Sequence, residues 1–228
     1  MKSVLVALSI VILSTQAFAA NPVIYGQDNR KDLYEVLVPQ YAQLADSTVA
    51  LMKSSSLRQN SSGIMSVSAR SLMQSMGVCS NERFADQPSG AFCSGSLIGK
   101  NLILTAGHCI TDADDCKDTK FVFGYNVKAK GAYPTSVAQA DVVGCKSIIH
   151  REQVGSGADF AIIETDREIT HHAALKLNLQ RATVNIENGT QLLMIGHPSG
   201  LPTKLDDGGK VRDNSKNGYF AEIGRAHV

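Results

Sequence analysis

Cysteines at 93 and 109 bracket two short apolar runs, FCSGSLIGKNLILTAGHC, and this limits the fold more than any other stretch of the 228 residues. Residues 92–98 and 102–105 are apolar or small, and Gly99, Lys100 and Asn101 between them supply a turn, so the segment reads as a β-hairpin. A hairpin brings its own ends together. Cys93 and Cys109 are therefore candidates to face each other, and a bridge closing a loop of about 16 residues would contribute roughly 3 kcal/mol by loop entropy. The same bridge would restrain the backbone that carries His108. A general base must be held within hydrogen-bond reach of the group it deprotonates.

The β signal repeats along the chain. Residues 47–52, 120–125, 142–149 and 160–165 are β-branched or aromatic runs between polar turns. With the hairpin they make six short strands, which can close into one small antiparallel barrel with no exposed edge. Residues 32–46 carry Leu33, Val36, Leu37, Tyr41 and Leu44 at helical spacing, with Pro39 suited to a first turn, and predict a short surface helix. Residues 54–75 are rich in serine and read as a loop around one weak strand at 64–67. After a connection at 166–176, weaker runs at 191–195, 210–213 and 219–221 supply about half of a second barrel. Its unpaired edges predict a marginal or aggregation-prone chain.

At the start, Lys2, the apolar run 4–13 and Ala17-Phe18-Ala19 read as a secretory signal peptide, residues 1–19. Without Lys2 the 22 basic residues become 21, against 21 acidic, so the charge gives no reason to expect nucleic acid or an anionic membrane as partner. Export permits disulfides. Five cysteines allow fifteen arrangements of two bridges, five choices of odd thiol times three pairings. After Cys93 with Cys109 the preferred pair is Cys116 with Cys145, leaving Cys79. A zinc site from His108, Cys109, Cys116 and Cys145 lacks the C-x-x-C spacing and competes with oxidation. Asn60 and Asn188 open glycosylation sequons, which matter only in a eukaryotic secretory route.

Cys93, Gly95-Ser96-Leu97-Ile98 and Thr105-Ala106-Gly107-His108-Cys109 resemble the region around the catalytic histidine of trypsin- and chymotrypsin-fold serine proteases. Asp159 opens Asp-Phe-Ala-Ile-Ile, similar to the segment that carries the catalytic aspartate there. The two lie 51 residues apart (159 − 108), against about 45 in the template order of His, Asp and Ser. Asp141, Asp114 and Asp115 lack that context, and His150, His171, His172 and His197 read as ordinary core or surface histidines. Residues 23–30 loosely resemble the mature start of bacterial glutamyl endopeptidases, which would make 20–22 a short pro-segment, although an ordinary extended arm fits as well. The resemblance implies an all-β fold of two antiparallel six-stranded barrels with the site in the cleft between them. It implies a secreted or periplasmic monomer acting on polypeptide substrates, with no metal or organic cofactor. The chain then divides into an arm and helix at 20–46, a first barrel at 47–165, the connection at 166–176 and a partial second barrel at 177–221.

The third catalytic group is missing. The template places the serine about 93 residues after the aspartate, near position ~252, and no Gly-x-Ser-Gly follows Asp159. Ser199 in Gly196-His197-Pro198-Ser199-Gly200 reads as a turn, and Ser215 sits in a polar connection without an adjacent glycine. Residues 222–228, EIGRAHV, read as the translation of a short-read sequencing adapter. The expectation is an exported serine endopeptidase present as an inactive fragment that ends before its nucleophile. The competing expectation is a catalytically inactive, protease-like binding module.

Overall fold

In the computed structural model, which describes residues 28–60, 62–155, 157–177, 186–214 and 221–222, the six strongest β runs close into one antiparallel barrel. The strands are β1 (Thr48–Lys53), β2 (Cys93–Gly99), β3 (Leu102–Thr105), β4 (Thr119–Val122), β5 (Val142–Gln153) and β6 (Asp159–Thr165). They pair in the order β5-β6-β3-β2-β1-β4, and β4 returns to β5. The expected leader, the start at 23–27, Ser215, residues 219–220 and the tail beyond 222 lie outside the described residues.

Alternation fills the barrel. Val49 and Leu51 of β1, Leu97, Ile103, Phe121, Val143, Ala161 and Ile163 share one buried cluster, and each larger side chain contributes about 1.5–3 kcal/mol by leaving water. The opposite face of β1 is buried too, with Ala50 and Met52 packed among Leu57, Val122, Tyr125 and Val137. What covers it is a three-stranded sheet of Leu57–Gln59, Ile64–Val67 and Ser136–Ala138, where the composition predicts mostly loop. The turn explains the difference. Asn60 Oδ1 accepts from the N–H groups of Ser62 and Ile64 at 3.0 and 3.1 Å, and Gly63 takes φ +69°, so a serine-rich stretch folds back as a hairpin.

Other boundaries shift for local reasons. The helix occupies only Pro39–Asp46, because proline starts it at the first position and holds Val38 extended (φ −94°, ψ 108°). β4 stops at Val122, since Gly124 (φ +66°) turns the chain. β5 is longer than 142–149 because Glu152 and Gln153 pair with Phe160 and Asp159. That extension sets the position of Asp159.

Disulfides join Cys93 to Cys109 (Cα–Cα 6.2 Å) and Cys116 to Cys145 (Cα–Cα 5.3 Å), and Cys79 is an exposed free thiol. The second ties the short helix Ala113–Asp118 to β5. The loops they close are worth about 3 and 3.6 kcal/mol by chain entropy.

The 166–176 connection lies along the barrel rather than spanning free. Ile169 is 5% exposed within the barrel core, its N–H donates to Lys100 O at 2.7 Å, and Leu175 N–H donates to Leu97 O at 2.8 Å. Beyond it, β7 (Gln191–Gly196) pairs with β8 (Lys204–Asp213), and the other edge of β8 takes Lys31–Asp32 and Ala221–Glu222. β8 begins well before the expected residue 210. Its first residues look like solvated loop, yet Lys204 and Asp206 are buried. Lys204 Nζ sits 2.6 Å from Asp32 Oδ1 and donates to Gln87 Oε1 at 2.8 Å, while Gln87 Nε2 donates to Asp32 Oδ2 at 2.7 Å.

Candidate active site

β3 and β6 are neighbours, with Thr105 opposite Ala161. The chain leaves β3 through a tight turn, Cys109 N–H donating to Ala106 O at 3.1 Å, and this sets His108 beside Asp159, the first residue of β6. His108 Nδ1 lies 2.6 Å from Asp159 Oδ2, and the His108 backbone N–H donates to Oδ1 at 3.0 Å. Both oxygens of one carboxylate thus engage one residue, which fixes the imidazole plane. An ionised carboxylate can only accept, so Nδ1 carries the ring proton and Nε2 presents a lone pair. In turn the hydrogen bond from His108 holds the Asp159 carboxyl below the usual carboxylate range. The two side chains are 56% and 38% exposed, so the imidazole is open to solvent.

The support around the pair is steric as much as polar. A Cβ on Gly107 would stand 2.3 Å from Glu152 O, so only glycine lets the turn close on the β5–β6 hairpin. Arg151 Nε donates to Gly107 O at 2.6 Å, and Thr105 Oγ1 donates to Ser94 O at 2.8 Å. On the far side Cys109 is held to Cys93. The disulfides use Cys93, Cys109, Cys116 and Cys145, so these residues offer no thiolates for zinc. Sequence reasoning passes over Gly107, Arg151 and Ser94. For Gly107 the histidine motif itself is a signal; Arg151 and Ser94 have none, because their contacts depend on strand register.

The other candidates lie elsewhere. Asp141 faces His171 and His172, and Asp115 accepts from Thr111. Asp114 donates its backbone N–H to Asp112, which caps the helix Ala113–Asp118. His150 rests on Phe160 with ring centroids 5.4 Å apart. Ser199 is exposed in the turn Pro198–Gly200, its φ is +52°, and its carbonyl accepts from Ser89 Oγ at 2.7 Å. A Cβ on Gly200 would meet Ala91 O at 2.4 Å, so this turn is packed closely against the start of β2.

His197 precedes that turn and is 2% exposed; Nδ1 donates to Leu201 O at 3.0 Å and the backbone N–H donates to Ser94 Oγ at 2.8 Å. Burial, with Lys204 nearby, pulls its pKa from 6.5 to about 4. Because the folded value is the lower one, the unfolded chain binds the extra proton between about pH 6.5 and 4, so stability falls as pH falls through that window. The loss is expected to reach roughly 3 kcal/mol. Urea unfolding midpoints taken across the window for the parent and for His197→Asn, whose amide can keep the bond to Leu201, check this. The parent should lose stability steeply and the variant should not; equal slopes would remove His197 as the cause.

The protein-family model described as Trypsin matches residues 76–211, which is 136 residues (211 − 76 + 1) of the 228. No curated protein sequence matches the chain. Among solved structures, the VesB protease of Vibrio cholerae is similar at 20% identity and a TM-score of 0.46, over 80% of this chain and 44% of VesB. A Glu endopeptidase is similar at 18% identity and a TM-score of 0.47, over 83% and 71% of the two chains. The secreted serine protease VesC of Vibrio cholerae is similar at 15% identity and a TM-score of 0.45, over 74% and 29%. The chain thus spans less than half the length of VesB.

Proposed function

The chain belongs to the trypsin family, and from that premise we propose that it is the histidine- and aspartate-bearing part of an exported serine endopeptidase. The observation that carries this reading is the 2.6 Å contact between His108 Nδ1 and Asp159 Oδ2, which leaves Nε2 free to act as a base at an exposed site. His108 Nε2 takes the proton of a serine hydroxyl as its oxygen attacks a peptide carbonyl. His108 then gives that proton to the leaving amine, and a water repeats the sequence on the acyl-enzyme. Asp159 stays ionised, holds the tautomer and stabilises the imidazolium. No Gly-x-Ser-Gly occurs after Asp159, so the serine of this route is not identified among these 228 residues.

The barrel spanning 47–165 is then the first of two. On this reading the open sheet of β7 and β8 belongs to the second. Two disulfides suit an oxidising compartment, which agrees with a secreted or periplasmic product.

The test starts at the native gene, read in frame past the codon for Ala221. The expected sequence contains Gly-x-Ser-Gly, and the product of that longer frame should label at one serine with a fluorophosphonate probe, with labelling slowed strongly by His108→Ala. A genomic stop codon directly after Val228, or labelling indifferent to His108, would overturn the reading. The stop codon would leave a binding module that keeps the protease surface.

A further inference from the structure

Two histidines and two carboxylates away from the active site meet where three pieces of chain converge. His171 and His172 lie on the 166–176 connection, Asp141 ends the 3-10 turn Gln139–Asp141, and Asp46 ends the helix Pro39–Asp46. One oxygen, Asp141 Oδ1, lies 2.9 Å from His171 Nε2 and 3.3 Å from His172 Nε2, while His172 Nδ1 lies 3.0 Å from Asp46 Oδ1. A neutral imidazole has one N–H. With that N–H given from Nδ1 to Asp46, Nε2 of His172 is a lone pair aimed at an anionic oxygen, an arrangement that a cation between them turns from repulsive to attractive. The two carboxylates also leave the cluster with two formal negative charges when both imidazoles are neutral, which suits a divalent ion.

The geometry is close to that of a bound metal. The three donor atoms of Asp141, His171 and His172 lie within 4.8 Å of one another, and tetrahedral ligation at about 2.0 Å would set them about 3.3 Å apart. The donors therefore need to draw in by only about 1.5 Å at most. His172 is held for the purpose: its side chain is 9% exposed and its ring stacks on Phe123 with centroids 4.1 Å apart and planes 7° from parallel. A carboxylate on the far nitrogen of a ligating histidine is the usual way to fix its tautomer and raise its basicity, and Asp46 occupies that place. His171, 43% exposed, leaves the outer side open to water.

We propose that His171 Nε2, His172 Nε2 and the Asp141 carboxylate bind one divalent transition-metal ion of the zinc class, with Asp46 orienting His172 and water completing the tetrahedron. Imidazole and carboxylate donors of this number favour such an ion over calcium or magnesium, which take oxygen ligands. Bound there, the ion fastens the connection to the barrel through Asp141, beside the bond from His172 to Asp46. This proposal does not depend on the peptidase reading.

The experiment is calorimetric titration of zinc chloride into the full, disulfide-bonded chain carrying Cys79→Ser, so that the exposed thiol contributes nothing. One ion per chain is expected, with affinity lowered more than about tenfold by His171→Ala and by Asp141→Asn and about tenfold by Asp46→Asn, and unchanged by His150→Ala. Cobalt in place of zinc should give a visible spectrum of nitrogen and oxygen ligands without a thiolate charge-transfer band. Circular dichroism shows whether each variant folds; if His171→Ala does not, Asp141→Asn decides alone. The proposal is overturned by absence of binding at millimolar zinc, or by affinity unchanged in the folded variants.

Discussion

On the proposed reading, Asp159→Asn in a gene product that also carries the serine is expected to lower kcat by about 10⁴-fold while leaving the fold intact. In the native site the carboxylate accepts twice from His108, from Nδ1 and from the backbone N–H. An asparagine can keep one of these, but its amide N–H₂ can donate to the ring and so favours the tautomer with the proton on Nε2. That tautomer has no lone pair for the serine proton. Since the two residues act as a unit, His108→Ala combined with Asp159→Asn should cost about as much as His108→Ala alone. Steady-state kinetics on one peptide substrate for the four proteins makes the comparison. A drop below about tenfold for Asp159→Asn would place the carboxylate outside the catalytic machinery.

Asp32→Ala is expected to destabilise the chain by about 3–5 kcal/mol, because it strands the buried ammonium of Lys204. Lys204 is 2% exposed, and beyond Asp32 its nitrogen donates to Gln87 Oε1 and Pro202 O, both at 2.8 Å, and lies 4.7 Å from the centre of the Phe84 ring, all of them neutral partners. Burial already pulls its pKa from 10.5 to about 8 despite the opposing pull of Asp32. Because the folded value is the lower one, the unfolded chain holds the extra proton between about pH 8 and 10.5, and native stability rises with pH across that window. The cost of Asp32→Ala should therefore shrink in alkali. It should also shrink in Asp32→Ala with Lys204→Met, which removes the stranded charge. Urea unfolding of the three chains at neutral and alkaline pH tests both statements; a loss for Asp32→Ala within about 1 kcal/mol would show that the pair contributes little.

These two sites differ in how far the sequence discloses them. The barrel strands are legible because β-branched and aromatic residues recur between polar turns, and Val49, Leu51, Phe121 and Ile163 face inward at the positions alternation predicts. His108 and Asp159 stand out through their motifs. Neither motif states that the pair meets because β5 runs on to Gln153, or that Gly107 must lack a Cβ to clear Glu152 O. The Asp32–Lys204 contact leaves no trace at all: both residues sit in polar stretches far apart in the chain, and only strand pairing buries them. The strand at Ile64–Val67 is legible as a weak run, but its partner Leu57–Gln59 is hidden, since the polar composition masks a hairpin that Asn60 and Gly63 help to close. The His171–His172 cluster draws on three separate elements, so no spacing rule marks it.

The most direct test of the central claim is the rate of peptide hydrolysis by a gene product that also carries the serine, measured beside its His108→Ala variant under the same conditions. The predicted result is hydrolysis by the parent and a loss of several orders of magnitude in kcat for the variant, with its fold and both disulfides retained. Hydrolysis that survives His108→Ala at the parent rate would contradict the account, because the imidazole that Asp159 holds would then have no part in the chemistry.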